Sequence, residues 1–207
     1  MKIDDLIWQC LDKAIKRFNE SGDPQSLLCP RNENPKAKPG PAASERAIAY
    51  RLAFYLESEL RSMGLISDAG PLVVDCEYNR HLAGGKSLAA EAEERIKKIV
   101  KEARERELKA DGDGYYVFSV APDIVIHQRR TDINNLLVVE IKKESNTESE
   151  EYDGLKLELF TKSKHDERGY GYKFGAWVVA EDLKPAKREL KIVKQYKDGI
   201  GTVLAES

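Results

Sequence analysis

Two carboxylates and a lysine at the ends of apolar runs are the residues of this chain best suited to chemistry. Asp123 follows Pro122 and opens the run Ile124-Val125-Ile126. Glu140 and Lys142 close the run Leu136-Leu137-Val138-Val139, with Ile141 between them. Side chains alternate faces along a strand, so Glu140 and Lys142 point one way and Ile141 the other. Val138 precedes Glu140 on the same face and is apolar, so the strand is apolar on both faces and reads as central. Burying a carboxylate and an ammonium there is costly unless they are paired or hold a metal. Asp123 shares the face of Val125, and the polar stretch Arg129 to Asn135 reads as the connection of a hairpin. An in-register hairpin brings Asp123 to Glu140 near one end of the sheet. Two converging carboxylates beside a lysine form a hard-oxygen site of the kind that suits Mg²⁺. A metal held there activates a bound water and stabilises charge on a scissile phosphate. Lys142 would orient that water or neutralise the phosphate. Plainer roles stand beside these: a turn residue for Asp123, and a solvated strand end for Glu140 and Lys142.

The elements that must position these groups follow from periodicity. Residues 44–63 read as a helix with Ile48, Leu52, Tyr55 and Leu56 on one face and Gly64 at its end. Glu45 falls on that inward stripe, either as a further site carboxylate or as a favourable acid in a first turn. Leu72 to Tyr78 reads as a strand by its β-branched content. Residues 87–109 carry Leu88, Ala92, Ile96 and Ile99 or Val100 on a narrow stripe amid dense mixed charge, which predicts a solvated helix. Asp111-Gly112-Asp113-Gly114 reads as a turn. Residues 153–164 read as a helix, and Phe174 to Ala180 as a buried strand. After Pro185 the pattern fits strand and helix equally. Residues 4–19 carry a helical stripe, and residues 21–43 hold five of the eight prolines, an irregular connection. That connection is either a linker to an N-terminal arm or a loop wrapped on the same domain.

Composition bounds the rest. The chain has 207 residues, 41% of them hydrophobic, which suffices for one domain with a real core. Lys and Arg number 34 against 36 Asp and Glu, so a chain-wide basic footprint is excluded. No apolar run approaches the roughly 20 residues of a membrane helix, and the expectation is no membrane partner. Three cysteines without a CxxC pair argue against a disulfide framework and a cysteine zinc site, and the default location is the cytoplasm. Residues 184–197 hold six basic side chains and one acid, Glu189. With Lys162, Lys164 and Arg168 they could form a phosphate-tracking face, or a solvated basic element.

Pro122-Asp123 followed by the apolar strand ending Glu140-Ile141-Lys142 resembles the motif of the PD-(D/E)xK nuclease superfamily. The order of elements fits as well: a Glu-bearing helix at 44–63, strands at 72–79, 123–128 and 136–143, a helix at 152–164 and a strand at 173–180. The resemblance spans about residues 44–180, with 84–112 as a helical insertion and 1–43 outside it. It implies an α/β fold with a restriction-endonuclease-like core, a mixed central sheet flanked by helices. It implies metal ligation by Asp123, Glu140 and the carbonyl of Ile141, with Glu45 as an accessory carboxylate and Lys142 as the catalytic lysine. The metal would be Mg²⁺, with Mn²⁺ as a substitute. Lys156 matches a position that in this superfamily often contacts the site or substrate, while Arg80 and Lys143 are further candidates for nucleic-acid contact. Tyr78 and Asn79 are placed to touch nucleic acid or to shape a rim. Glu77 reads as an ordinary salt bridge, and His127 as a satisfied surface group rather than a base.

The expected activity is metal-dependent hydrolysis of phosphodiester bonds, DNA favoured by the resemblance. Two alternatives remain: a silent nucleic-acid-binding module of the same fold, and a protein-interaction subunit that joins a defence or mobile-element complex through residues 1–43. A homodimer is equally open.

Overall fold

The structure is a computed structural model. It describes residues 2–29, 43–78, 80–81, 84–85, 87–91, 93–104, 110–146, 150–163, 170–183 and 187–204. At the centre stands a six-stranded mixed sheet of order β1-β6-β7-β8-β9-β10. Its strands are β1 (Leu72–Cys76), β6 (Ile124–Gln128), β7 (Leu137–Lys143), β8 (Phe174–Glu181), β9 (Glu189–Lys197) and β10 (Ile200–Val203). The sheet is antiparallel except at β7–β8. A parallel pair needs a crossover, and here α5 (Glu150–Thr161) makes it.

One face of the sheet is covered by α1 (Ile3–Glu20) and α3 (Glu45–Ser62). Ile7, Leu11 and Phe18 of α1 meet Ile48, Leu52 and Leu56 of α3 over Ile124, Val139, Ile141 and Val178. Asn19 adds two hydrogen bonds to the backbone of Leu190. The N-terminal helix thus belongs to this core and is no detached arm. Within the proline-rich stretch, Asp23–Leu27 forms a short helix, α2, with Pro24 in its first turn, where its missing N–H costs nothing. Residues 30–42 lie outside the described residues.

The other face carries a second core. Val125, Val138 and Trp177 of the sheet meet Leu155, Leu159 and Phe160 of α5. Above them lie the two-stranded sheet of β4 (Ser87–Glu91) and β5 (Tyr115–Ser119), and α4 (Glu94–Arg104). A small ribbon, β2 (Arg80–His81) with β3 (Gly84–Gly85), precedes them.

The stretch expected to be helical over 87–109 therefore divides. Ser87 to Glu91 is a strand because Tyr115 to Ser119 supplies its hydrogen-bonding partner, in register Leu88↔Phe118. Leu88 and Ala90 are buried on one face, the period of a strand. The first strand also ends earlier than expected, at Cys76. Glu77 takes a positive φ of 49° and gives its amide to the carbonyl of Asp123, which turns the chain out of the sheet. The ambiguous segment after residue 185 resolves into β9 and β10.

Candidate functional site

The hairpin β6–β7 pairs Ile124 with Val139 and Val125 with Val138. One step further along this register, Asp123 stands opposite Glu140. The Asp123 carboxylate accepts the amide N–H of Ile141 at 2.7 Å, which ties the start of β6 to the motif on β7. Glu140 is 2% exposed. Its Oε2 accepts from the Lys156 ammonium at 2.6 Å, and its Oε1 is buried without a hydrogen-bond partner. A buried carboxylate oxygen left unmatched is costly, and Oε1 is the one atom of this carboxylate whose burial nothing compensates.

Glu140 and Lys142 face α5, as strand alternation requires. Lys142 is 5% exposed, with its Nζ 3.5 Å from Asp153 on that helix. Lys156, one helical turn beyond Asp153, meets it at 2.8 Å, and its Nζ also lies over the Tyr152 ring at 5.3 Å. The charged groups thus form a chain, Glu140–Lys156–Asp153–Lys142, roofed by α5. Sequence reasoning missed Asp153. The i, i+3 spacing to Lys156 was a signal, but such pairs are common on solvated helices.

The electrostatics are those of carboxylates short of positive charge. Burial pushes the Asp123 carboxyl up to about 6, with Lys156 and the Ile141 amide opposing and Asp153 and Glu45 adding to the rise. Burial raises Glu140 as well, against the pull of Lys156, with Asp123 and Asp153 adding to the rise. For Lys156, burial disfavours the charge, but Glu140, Asp153 and Asp123 outweigh it and keep the ammonium protonated.

Glu45 sits in the first turn of α3, behind the N-cap Ser44. Its Oε1 accepts from the Lys143 amide at 2.8 Å and from Asn146 Nδ2 at 2.9 Å. It thus pins the end of β7 directly beyond Lys142. The Lys143 side chain reaches the Ala43 carbonyl at 3.4 Å and Asp182 at 4.0 Å. It is mostly covered and tied down, not presented to solvent. Asp182 in turn accepts from the Ser145 amide and hydroxyl.

The remaining candidates lie apart. Glu77 pairs with Arg46 at 2.7 Å, the expected salt bridge. His127 is buried rather than on the surface: it bonds Asp75 at 3.0 Å and packs edge-on against Tyr78. Arg129 also pairs with Asp75. Asn79 and the side chain of Arg80 lie outside the described residues. The basic segment is divided among partners. Lys191 pairs with Glu181 at 2.8 Å, Lys194 lies over Trp177 at 5.2 Å, and Arg188 donates to Cys29 Sγ. Lys164, Arg168 and Lys184 lie outside the described residues.

Among the described residues no group of three or more His, Cys, Asp or Glu side chains is gathered closely enough to hold a metal ion by itself. The carboxylates that the hairpin register brings together are Asp123 and Glu140, and these two would be the protein donors to a divalent cation. That suits Mg²⁺, which keeps several waters and uses one or two protein carboxylates. The partnerless Oε1 of Glu140 fits the same role. No helix among the described residues is long and apolar enough to cross a membrane.

No protein-family model matches the chain, and no curated protein matches it in sequence.

Proposed function

We propose that this chain is a metal-dependent nuclease with a restriction-endonuclease-like core, of the PD-(D/E)xK type, that hydrolyses phosphodiester bonds. DNA is favoured over RNA by the resemblance. The observation that carries this reading is the placement of Asp123 opposite Glu140 on neighbouring strands, with Lys142 two residues on and on the same face. Asp123 and Glu140 would hold Mg²⁺, or Mn²⁺, with the Ile141 carbonyl as the resemblance implies. A bound divalent cation supplies Lewis acidity and an activated water. Lys142 orients the attacking water or neutralises the phosphate. Glu45 fixes the end of β7 and so the direction from which Lys142 reaches the site.

Incubation with linear and circular DNA, in Mg²⁺ or in EDTA, tests the proposal. Cleavage in Mg²⁺ alone, lost in Glu140→Ala, is the expected result. Equal cleavage by wild type and Glu140→Ala would overturn it.

One observation favours a second reading. Lys156 occupies Glu140, and Lys142 lies against Asp153, an arrangement that is charge-paired without metal. A silent binding module of the same fold would then hold nucleic acid in a salt-sensitive way, survive Lys142→Ala, and cleave nothing.

A further inference from the structure

Resting on the metal site above, we propose that Lys156 is a place-holder cation, which a divalent metal displaces from Glu140 and Asp153 then retains. Three observations carry this. First, the Lys156 ammonium sits 2.6 Å from Glu140 Oε2, so it already fills one side of the carboxylate a metal would use. A cation entering at Oε1, which has no hydrogen-bond partner, meets this ammonium across a single carboxylate, and like charges that close in a buried site repel strongly.

Second, the ammonium has somewhere to go. Asp153 Oδ1 lies 2.8 Å from the same nitrogen, and the Tyr152 ring lies within cation–π range. Releasing Glu140 therefore does not leave Lys156 as a buried, unpaired charge, which would be prohibitive. A small rotation of a flexible four-carbon stem transfers it wholly to Asp153.

Third, the groups are buried. The side chains of Glu140, Lys156 and Asp153 are 3%, 10% and 13% exposed. Bulk water does not screen the contest, so removing one charge changes the affinity of the site for another.

Asp153 and Lys156 are thus positioning residues, acting on the metal through Glu140. Lys156 lowers the affinity of the empty site and keeps it charge-matched until metal arrives. Asp153 raises that affinity by accepting the released ammonium.

Calorimetric titration of Mn²⁺ and of Mg²⁺ into the full chain, without nucleic acid, tests this. Lys156→Met should bind at least ten-fold more tightly than wild type, Asp153→Asn at least five-fold more weakly, and Glu140→Gln not at all. Thermal melting checks that each variant folds. Lysine ¹⁵Nζ NMR of the wild type, with Lys156→Gln as the assignment control, follows the ammonium itself, whose resonance should shift as Mg²⁺ saturates the site. Metal binding that depends on Glu140, with Lys156→Met no tighter than wild type or the Nζ resonance unmoved, overturns the displacement and leaves the nuclease reading standing. Absence of metal binding in wild type and in Lys156→Met alike overturns the metal site, and the displacement with it.

Discussion

Glu140 of β7 and Lys156 of α5 form a buried ion pair of 2.6 Å that joins the central sheet to its crossover helix. Removing one partner of such a pair costs roughly 3–5 kcal/mol, because the other charge is left without compensation. Here Asp153 still holds Lys156, so the loss belongs at the lower end. Glu140→Ala should lower the unfolding free energy accordingly, and Glu140→Gln with Lys156→Met should recover most of it. Urea denaturation of the three proteins measures this; a single variant as stable as wild type would show that the pair contributes nothing.

Lys142 is expected to matter for cleavage beyond any effect on metal affinity. Its ammonium contacts Asp153 at 3.5 Å, and a well-placed proton-transfer or charge-stabilising group contributes about 10²–10⁴-fold to rate. Lys142→Ala, compared at saturating Mg²⁺, should therefore lose cleavage by about that factor. A variant that cleaves as fast as wild type removes Lys142 from the mechanism.

Glu45 separates positioning from ligation. Its Oε1 accepts two hydrogen bonds, from the Lys143 amide and the Asn146 side chain, and glutamine keeps an acceptor there. Glu45→Gln should retain stability and metal affinity. Glu45→Ala leaves the Lys143 amide without its acceptor and should cost about 1–3 kcal/mol. A tenfold loss of metal affinity in Glu45→Gln, read by calorimetry, would make Glu45 a ligand instead.

Asp123 gives the metal-free protein a pH signature. Its carboxyl is raised by burial to about 6 in the folded chain, against about 3.9 when unfolded. The folded state thus holds this proton more tightly. Its contribution to stability is complete below pH ~4 and is lost as pH rises through about 6. Asp123→Asn should flatten that part of the stability profile in EDTA. Metal needs the deprotonated carboxylate, so Mg²⁺ affinity in the wild type should fall as pH drops below about 6. Affinity that is flat from pH 5 to pH 7 would contradict the ligand role.

What depends on neighbours along the chain was legible in the order of residues alone. The apolar runs at 124–126 and 136–139 marked β6 and β7, and strand alternation put Glu140 and Lys142 on one face. The helical stripe from Ile48 to Leu56 marked α3. Pairing between distant segments was decided only in three dimensions. Ser87 to Glu91 reads as helix by local spacing and becomes strand because β5 lies beside it. The apolar side chains of residues 4–19 marked a helix, and only packing on α3 made α1 part of the core. Glu45 finds its acceptor role 98 residues away, at Lys143. Asp153 is one more acid on a helix until α5 crosses over β7 and sets it between Lys142 and Lys156. The physical reason is common to these cases. Periodicity reports which face of an element is apolar, whereas the partner of a buried charge or an open strand edge is fixed by the sheet order and the crossover.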